Sequence, residues 1–156
     1  MSVEQKTYDD VKTVEQLLRE ELSTIDPSTY RIYEYPRSVE DIDNEVTSRF
    51  GIRADNNQPI LEFYTLVIEG LIDNQKSFII KKYSSIEKYI QAIVRHEQRH
   101  LQQYQFMIKH HLPIENIFNE AEIHKESSIL EKDAIAYENG VATYDDLYKI
   151  FGLKKD

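Results

Sequence analysis

The chain has 156 residues, of which 40% are hydrophobic and 30% charged, a mixture that belongs to one folded globular domain rather than a disordered segment. It holds no cysteine, which excludes disulfide frameworks, cysteine-ligated zinc, iron–sulfur clusters and thiol nucleophiles. The net charge of −9 is uneven: residues 1–50 carry 12 acidic and 6 basic side chains, 51–111 carry 6 and 8, and 112–156 carry 10 and 5.

The first element is a helix over 8–25, with Val11, Val14, Leu17, Leu18 and Leu22 at helical spacing and Pro27 stopping it. Residues 30–35 (YRIYEY), bounded by Pro27 and Pro36, read as a short strand. Ser38 is placed to cap a second helix over 39–50 that ends at Gly51. Residues 60–69 (ILEFYTLVIE) read as a buried strand, although periodicity alone leaves a helix open. Asp73-Asn74 supplies a turn, and 77–83 (SFIIKKY) returns as a neighbouring strand. Its Lys81 and Lys82 are typical edge-strand charges, so 77–83 is the expected docking edge for an extended peptide.

Ser84 and Glu87 have capping-box spacing and open a long helix with Ile86, Tyr89, Ile90, Ile93, Leu101, Tyr104 and Ile108 on one side, bounded by Pro113. A further helical stretch covers about 114–138 and closes at Asn139-Gly140. Thr143, with Asp146 three residues on, starts a last short helix that ends at Gly152.

The chemistry sits in the long helix. His96-Glu97-Gln98-Arg99-His100 is an HExxH motif, and residues i and i+4 lie one above the other, so both imidazoles reach one metal ion. Glu97 is beside them, placed to take a proton from a metal-bound water. With 5 His in the chain, such a motif arises by chance in roughly 2% of sequences of this composition. A tetrahedral zinc site needs a third protein ligand, and Gln103 and Phe106 stand where the metzincin extension would put glycine and histidine. Two glutamates compete for the role. Glu120 lies 20 residues after His100 and Glu131 lies 31 after. On one straight helix they would share a face about three turns apart, so only one would be level with the metal.

HEQRHLQQYQ followed by EKDAIAYE resembles the short zincin-like metalloproteins of bacteria and phages, gluzincin-type, with HExxHxxQ and then a downstream helix bearing E-x-D/E-A. The resemblance covers 84–138 and implies zinc on His96, His100 and Glu131, with Glu97 as base and Ala134 letting the two helices approach. It implies an α+β zincin-like domain over 1–156, with a small sheet against the HExxH helix and the N-terminal helix of 1–26 packed on this core. The segment Asn119-Glu120-Ala121 is similar to the third-ligand motif of the thermolysin group, but Ile123-His124 replaces the serine-aspartate that follows there.

Lesser candidates surround the motif. His124 is a potential oxyanion donor, Asp133 a potential partner for a ligand imidazole, and Tyr104 and Tyr137 potential transition-state donors. His110-His111 are placed to interact with the helix C-terminus. The expected function is a zinc-dependent metallopeptidase acting on polypeptide. The alternative is a non-catalytic scaffold of a phage or mobile element whose acidic surface binds a partner, and a third reading is an acidic nucleic-acid mimic. Glu97 favours the enzyme, because metal binding alone does not need it. No basic stripe supports direct nucleic-acid binding. No apolar run approaches the ~18 residues of a membrane span, and MSVEQKTYDD is no secretory leader, so a cytoplasmic location is expected.

Overall fold

Thr13 begins the first helix by satisfying two of its end groups. Its Oγ1 accepts the Gln16 N–H at 3.2 Å, and Gln16 Oε1 accepts the Thr13 N–H at 2.8 Å. The computed structural model describes residues 12–53, 55–113 and 128–155, and the backbone of 7–8. Within it, α1 covers Val14–Glu21, and the residues before it pair as short antiparallel strands, β1 (Thr7–Tyr8) with β2 (Lys12–Thr13). The helix expected from residue 8 therefore starts later, because the cap falls at Thr13. Its apolar stripe of Val14, Leu17, Leu18 and the following Leu22 is buried as the spacing predicts.

Asp26 caps a single 3-10 turn at Pro27–Thr29, which leads into β3 (Tyr30–Tyr33). Ser38 does cap a helix, its hydroxyl accepting the Asp41 N–H at 3.1 Å, but α2 stops at Asp43 (Val39–Asp43). The last three residues of the helix expected over 39–50 instead open β4 (Ser48–Ile52), and Gly51 lies inside this strand opposite Ile60. Tertiary pairing overrides local propensity here: β4 runs antiparallel to β5 (Pro59–Tyr64) and so places Phe50 in the core. β3 pairs parallel with β5, giving the order β3–β5–β4 with β4 at an edge among the described residues.

The strand expected over 60–69 ends at Tyr64, and the chain passes directly into α3 (Thr65–Tyr83). This overturns the strand expected at 77–83 and the peptide-docking edge placed on it. Ile68, Ile72 and Ile79 are buried at helical spacing, while Phe78 and Ile80 point to solvent. Asp73-Asn74 lies inside the helix, where the only trace of a turn is a kink at Gln75 (φ −131°, ψ 27°). Lys81 and Lys82 close the last turn, where cations are favoured by the helix dipole.

Ser84, at φ 78°, is the cap that ends α3, and Ser85 takes the N-cap of α4 (Ile86–Lys109), accepting the Lys88 N–H at 3.1 Å. The capping position is thus one residue later than the spacing of Ser84 and Glu87 suggests. α5 (Ile129–Glu138) ends at Asn139, with Gly140 at φ 77°, as expected; residues 114–127 of the stretch expected to precede it lie outside the described residues. α6 (Asp146–Ile150) follows Thr143, whose N–H donates to Asp146 Oδ2 at 2.8 Å.

The architecture is α+β. α4 is its axis: α1, α3, the inner face of the sheet and α5 all pack on it. Ile86, Ile90 and Val94 join Leu18, Ile68 and Phe63 in one core, and Ala134 is fully buried on α5. No helix among the described residues is long and apolar enough to cross a membrane.

Candidate metal centre

Two helices bring the three expected ligands together. His96 and His100 stand one turn apart on α4 with ring centroids at 5.1 Å and planes at 79°. Glu131 comes from the first turn of α5, which Ser128 caps by accepting the N–H groups of Leu130 and Glu131 at 3.2 and 3.4 Å. The Glu131 carboxylate pairs through Oε1 with His96 Nε2, and Oε2 lies 3.6 Å from His100 Nε2. One ligand atom from each residue falls within 4.8 Å of the others. A tetrahedral ion with ligands at ~2.0–2.2 Å spaces them about 3.3–3.6 Å apart. The group can therefore hold one metal ion with small adjustments.

The orientation of the imidazoles is set from behind. Gln103 Nε2 donates to the Leu130 carbonyl at 2.9 Å and to Asp133 Oδ2 at 2.8 Å, so its amide oxygen must face His100. That oxygen lies 2.8 Å from His100 Nδ1, which must therefore carry the proton, leaving the Nε2 lone pair toward Glu131. On the other ring, His96 Nδ1 lies 2.8 Å from Glu138 Oε1, and a carboxylate there demands an Nδ1–H too. Both rings thus turn Nε2 to the same point.

Asp133 has a different place from the one expected. It does not touch a ligand histidine but receives Arg99 Nε and Nη2 at 2.7 and 3.1 Å, and Gln103 is its link to His100. Arg99 is fully buried, and its Nη2 also donates to the Thr143 carbonyl at 2.7 Å, so one guanidinium ties α4, α5 and the turn before α6.

Glu97 is 2% exposed and faces the same cleft. Its Oε1 accepts the Ser48 hydroxyl at 3.3 Å, while Oε2 is buried with no hydrogen-bond partner among the described residues. A buried carboxylate oxygen left in this state costs about 1–3 kcal/mol, a penalty that folding alone does not require. The cleft holds about 380 Å³ and opens between α4, α5 and the start of β4 at Thr47 and Ser48.

Electrostatics of the pair agree with the geometry. Burial works against charge on His96, but hydrogen bonds to Glu131 and Glu138 outweigh it and raise its pKa to about 10. Burial likewise opposes ionisation of Glu131, yet His100 and His96 beside it bring its pKa down to about 2. The pair holds a proton between Nε2 and the carboxylate. A divalent ion binding there must displace that proton.

Other sequence candidates fall elsewhere. The Tyr104 hydroxyl donates to the Asn57 carbonyl at 2.9 Å, and Tyr137 accepts from Gln102 while its ring lies under Arg95 and Arg99. Neither lines the cleft, whereas Tyr83 and Tyr89 do. His110 sits at the C-cap of α4, as expected, with its ring 4.2 Å from that of Phe106. Glu120 and His124 lie outside the described residues. Sequence reasoning missed the roles of Gln103 and Glu138; the available signals were the Q of HExxHxxQ and the seven-residue spacing of Glu138 from Glu131, which repeats a helix face.

No family model matches the chain, and no curated protein or solved structure matches it either. The site therefore rests on its own geometry.

Proposed function

We propose that the protein is a zinc-dependent peptidase of zincin-like architecture, with His96, His100 and Glu131 as ligands and Glu97 as general base. One observation carries the reading: two imidazoles fixed with Nε2 inward converge with a carboxylate, and a buried oxygen of Glu97 with no partner among the described residues lies in the same cleft. Two histidines and a glutamate with an open fourth position are a zinc donor set suited to hydrolysis, and the ion supplies Lewis acidity and a water that ionises near neutral pH.

The chain's own residues account for the rest. Glu97 accepts the proton of the attacking water through Oε2 and returns it to the leaving amine, while Ser48 steadies Oε1. Gln103 and Glu138 keep the two rings from rotating. A polypeptide substrate is favoured because, among the described residues, β4 ends the sheet and its first residue touches Glu97. Strand addition along it would supply main-chain hydrogen bonds beside the base. β4 thus takes the docking role that 77–83, being helical, does not have.

The test is Glu97→Gln against a panel of unstructured polypeptides. The change keeps side-chain volume but removes the proton acceptor, so metal content and fold should persist while kcat falls on the order of 10²-fold or more. Undiminished cleavage in the variant contradicts the mechanism, and no cleavage by wild type favours a non-catalytic scaffold.

A further inference from the structure

A cavity on the other face of the sheet concentrates arginine. Along β4, Ser48 and Phe50 face α4 and the core, so Arg49 and Gly51 face outward. Strand register then sets Arg31, Glu62 and Arg49 in one row across β3, β5 and β4. Arg53, just past β4, and Arg37, after β3, close the same cavity of about 510 Å³. Four of the seven arginines of a chain with net charge −9 are gathered here, and no lysine among the described residues lines the space. Gathering like charges on one face raises its potential and makes it attract anions.

Among the described residues, Asp55 and Glu62 are the carboxylates that line the cavity, against four guanidinium groups, and Asp41 beyond its rim lies 3.7 Å from Arg49. Asp55 is engaged by Arg53 at 3.2 and 3.1 Å, and Glu62 receives the Tyr64 hydroxyl at 3.2 Å. Two arginines are held by neutral groups. Arg31 donates through Nη1 to the carbonyls of Pro27 and Tyr30 at 3.3 and 2.8 Å, and Arg37 lies over the Tyr33 ring and donates to its hydroxyl at 3.4 Å. These contacts orient the guanidinium forks without cancelling their charge.

We propose that this cavity binds a phosphate-bearing small molecule. Among the described residues, four guanidinium groups face two carboxylates across the lining, which suits an anion, and planar guanidinium forks match phosphate oxygens in a way lysine would not. The volume lies in the range of small-molecule sites, and Tyr33, Ile52 and Ile60 offer apolar wall to an organic portion. The site is independent of the metal centre, from which the sheet separates it.

Calorimetric titration of the full chain with inorganic pyrophosphate at about 0.15 M salt tests the assignment. Wild type should bind saturably with one ligand per chain. Arg31→Gln combined with Arg49→Gln should weaken binding at least tenfold at unchanged melting temperature, and Arg37→Gln alone decides the matter should the pair fail to fold. Arg31→Lys should give an intermediate loss, since charge stays and the fork goes, whereas Glu131→Gln should bind as wild type. Absence of saturable binding, equal binding by the arginine variants, or loss in Glu131→Gln overturns the site. Citrate binding as tightly as pyrophosphate, or a single-stranded oligonucleotide binding more tightly, overturns the phosphate assignment.

Discussion

His96 and Glu131 share a proton in a place that suits a cation, and this gives the residue scale a signed pH dependence. His96 moves from 6.5 to about 10 in the folded chain. Its pairing with Glu131 therefore stabilises the metal-free fold fully between pH 4.5 and 6.5, fading as pH rises through about 10 and as it falls through about 2. Metal affinity should run the other way, rising about tenfold per unit between roughly pH 6.5 and 9, because one proton is displaced per ion bound. Competition titrations with a chelator of known affinity at several pH values read this slope, and a flat profile contradicts the shared proton. The two histidines were legible from the sequence because four residues make one helical turn. Glu131 was selected by the E-x-D-A resemblance rather than by spacing, since Glu120 satisfied the local pattern too. The supports were harder to read: that Gln103 orients His100 follows only once Leu130 and Asp133 are known to lie behind its amide.

At the scale of elements, the contact that sets the metal centre is α4 against α5, and the buried Arg99–Asp133 pair holds it. Side-chain exposures of 0% and 4% leave the pair little solvent screening. Asp133→Ala strands a buried guanidinium and should cost about 3–5 kcal/mol in urea unfolding, whereas Arg99→Met joined with Asp133→Leu should recover most of that loss. A loss below about 1 kcal/mol for Asp133→Ala would show that Arg99 finds other partners. Helix caps and stops were readable where a single residue type decides them: Ser38 and Gly140 stand at element ends as expected, whereas Thr143 bonds Asp146 from outside the last helix, whose N-cap is Asp145. Two elements were misread for a shared reason. β4 is a strand through its pairing with β5, and 77–83 is helical through the burial of Ile79 beside Ile72 and Ile68. Both are long-range effects that a short apolar run does not disclose. The turn signal at Asp73-Asn74 produced the kink at Gln75 instead of a chain reversal.

Across the whole molecule, β4 separates two regions of opposite chemistry. Its inner face touches Glu97 at the acidic metal cleft, and its outer face carries Arg49 in the arginine cavity. Counting charge along the chain conceals this, because Arg31, Arg37 and Arg49 lie in the segment with the largest acidic excess. The central claim is that His96, His100 and Glu131 form one divalent metal site, and elemental analysis of protein purified without added metal addresses it most directly. Wild type should carry close to one zinc per chain, Glu97→Gln and Glu120→Ala should keep it, and Glu131→Ala should lose most of it. Metal-free wild type that takes up no added zinc, or a larger loss in Glu120→Ala than in Glu131→Ala, would contradict the account.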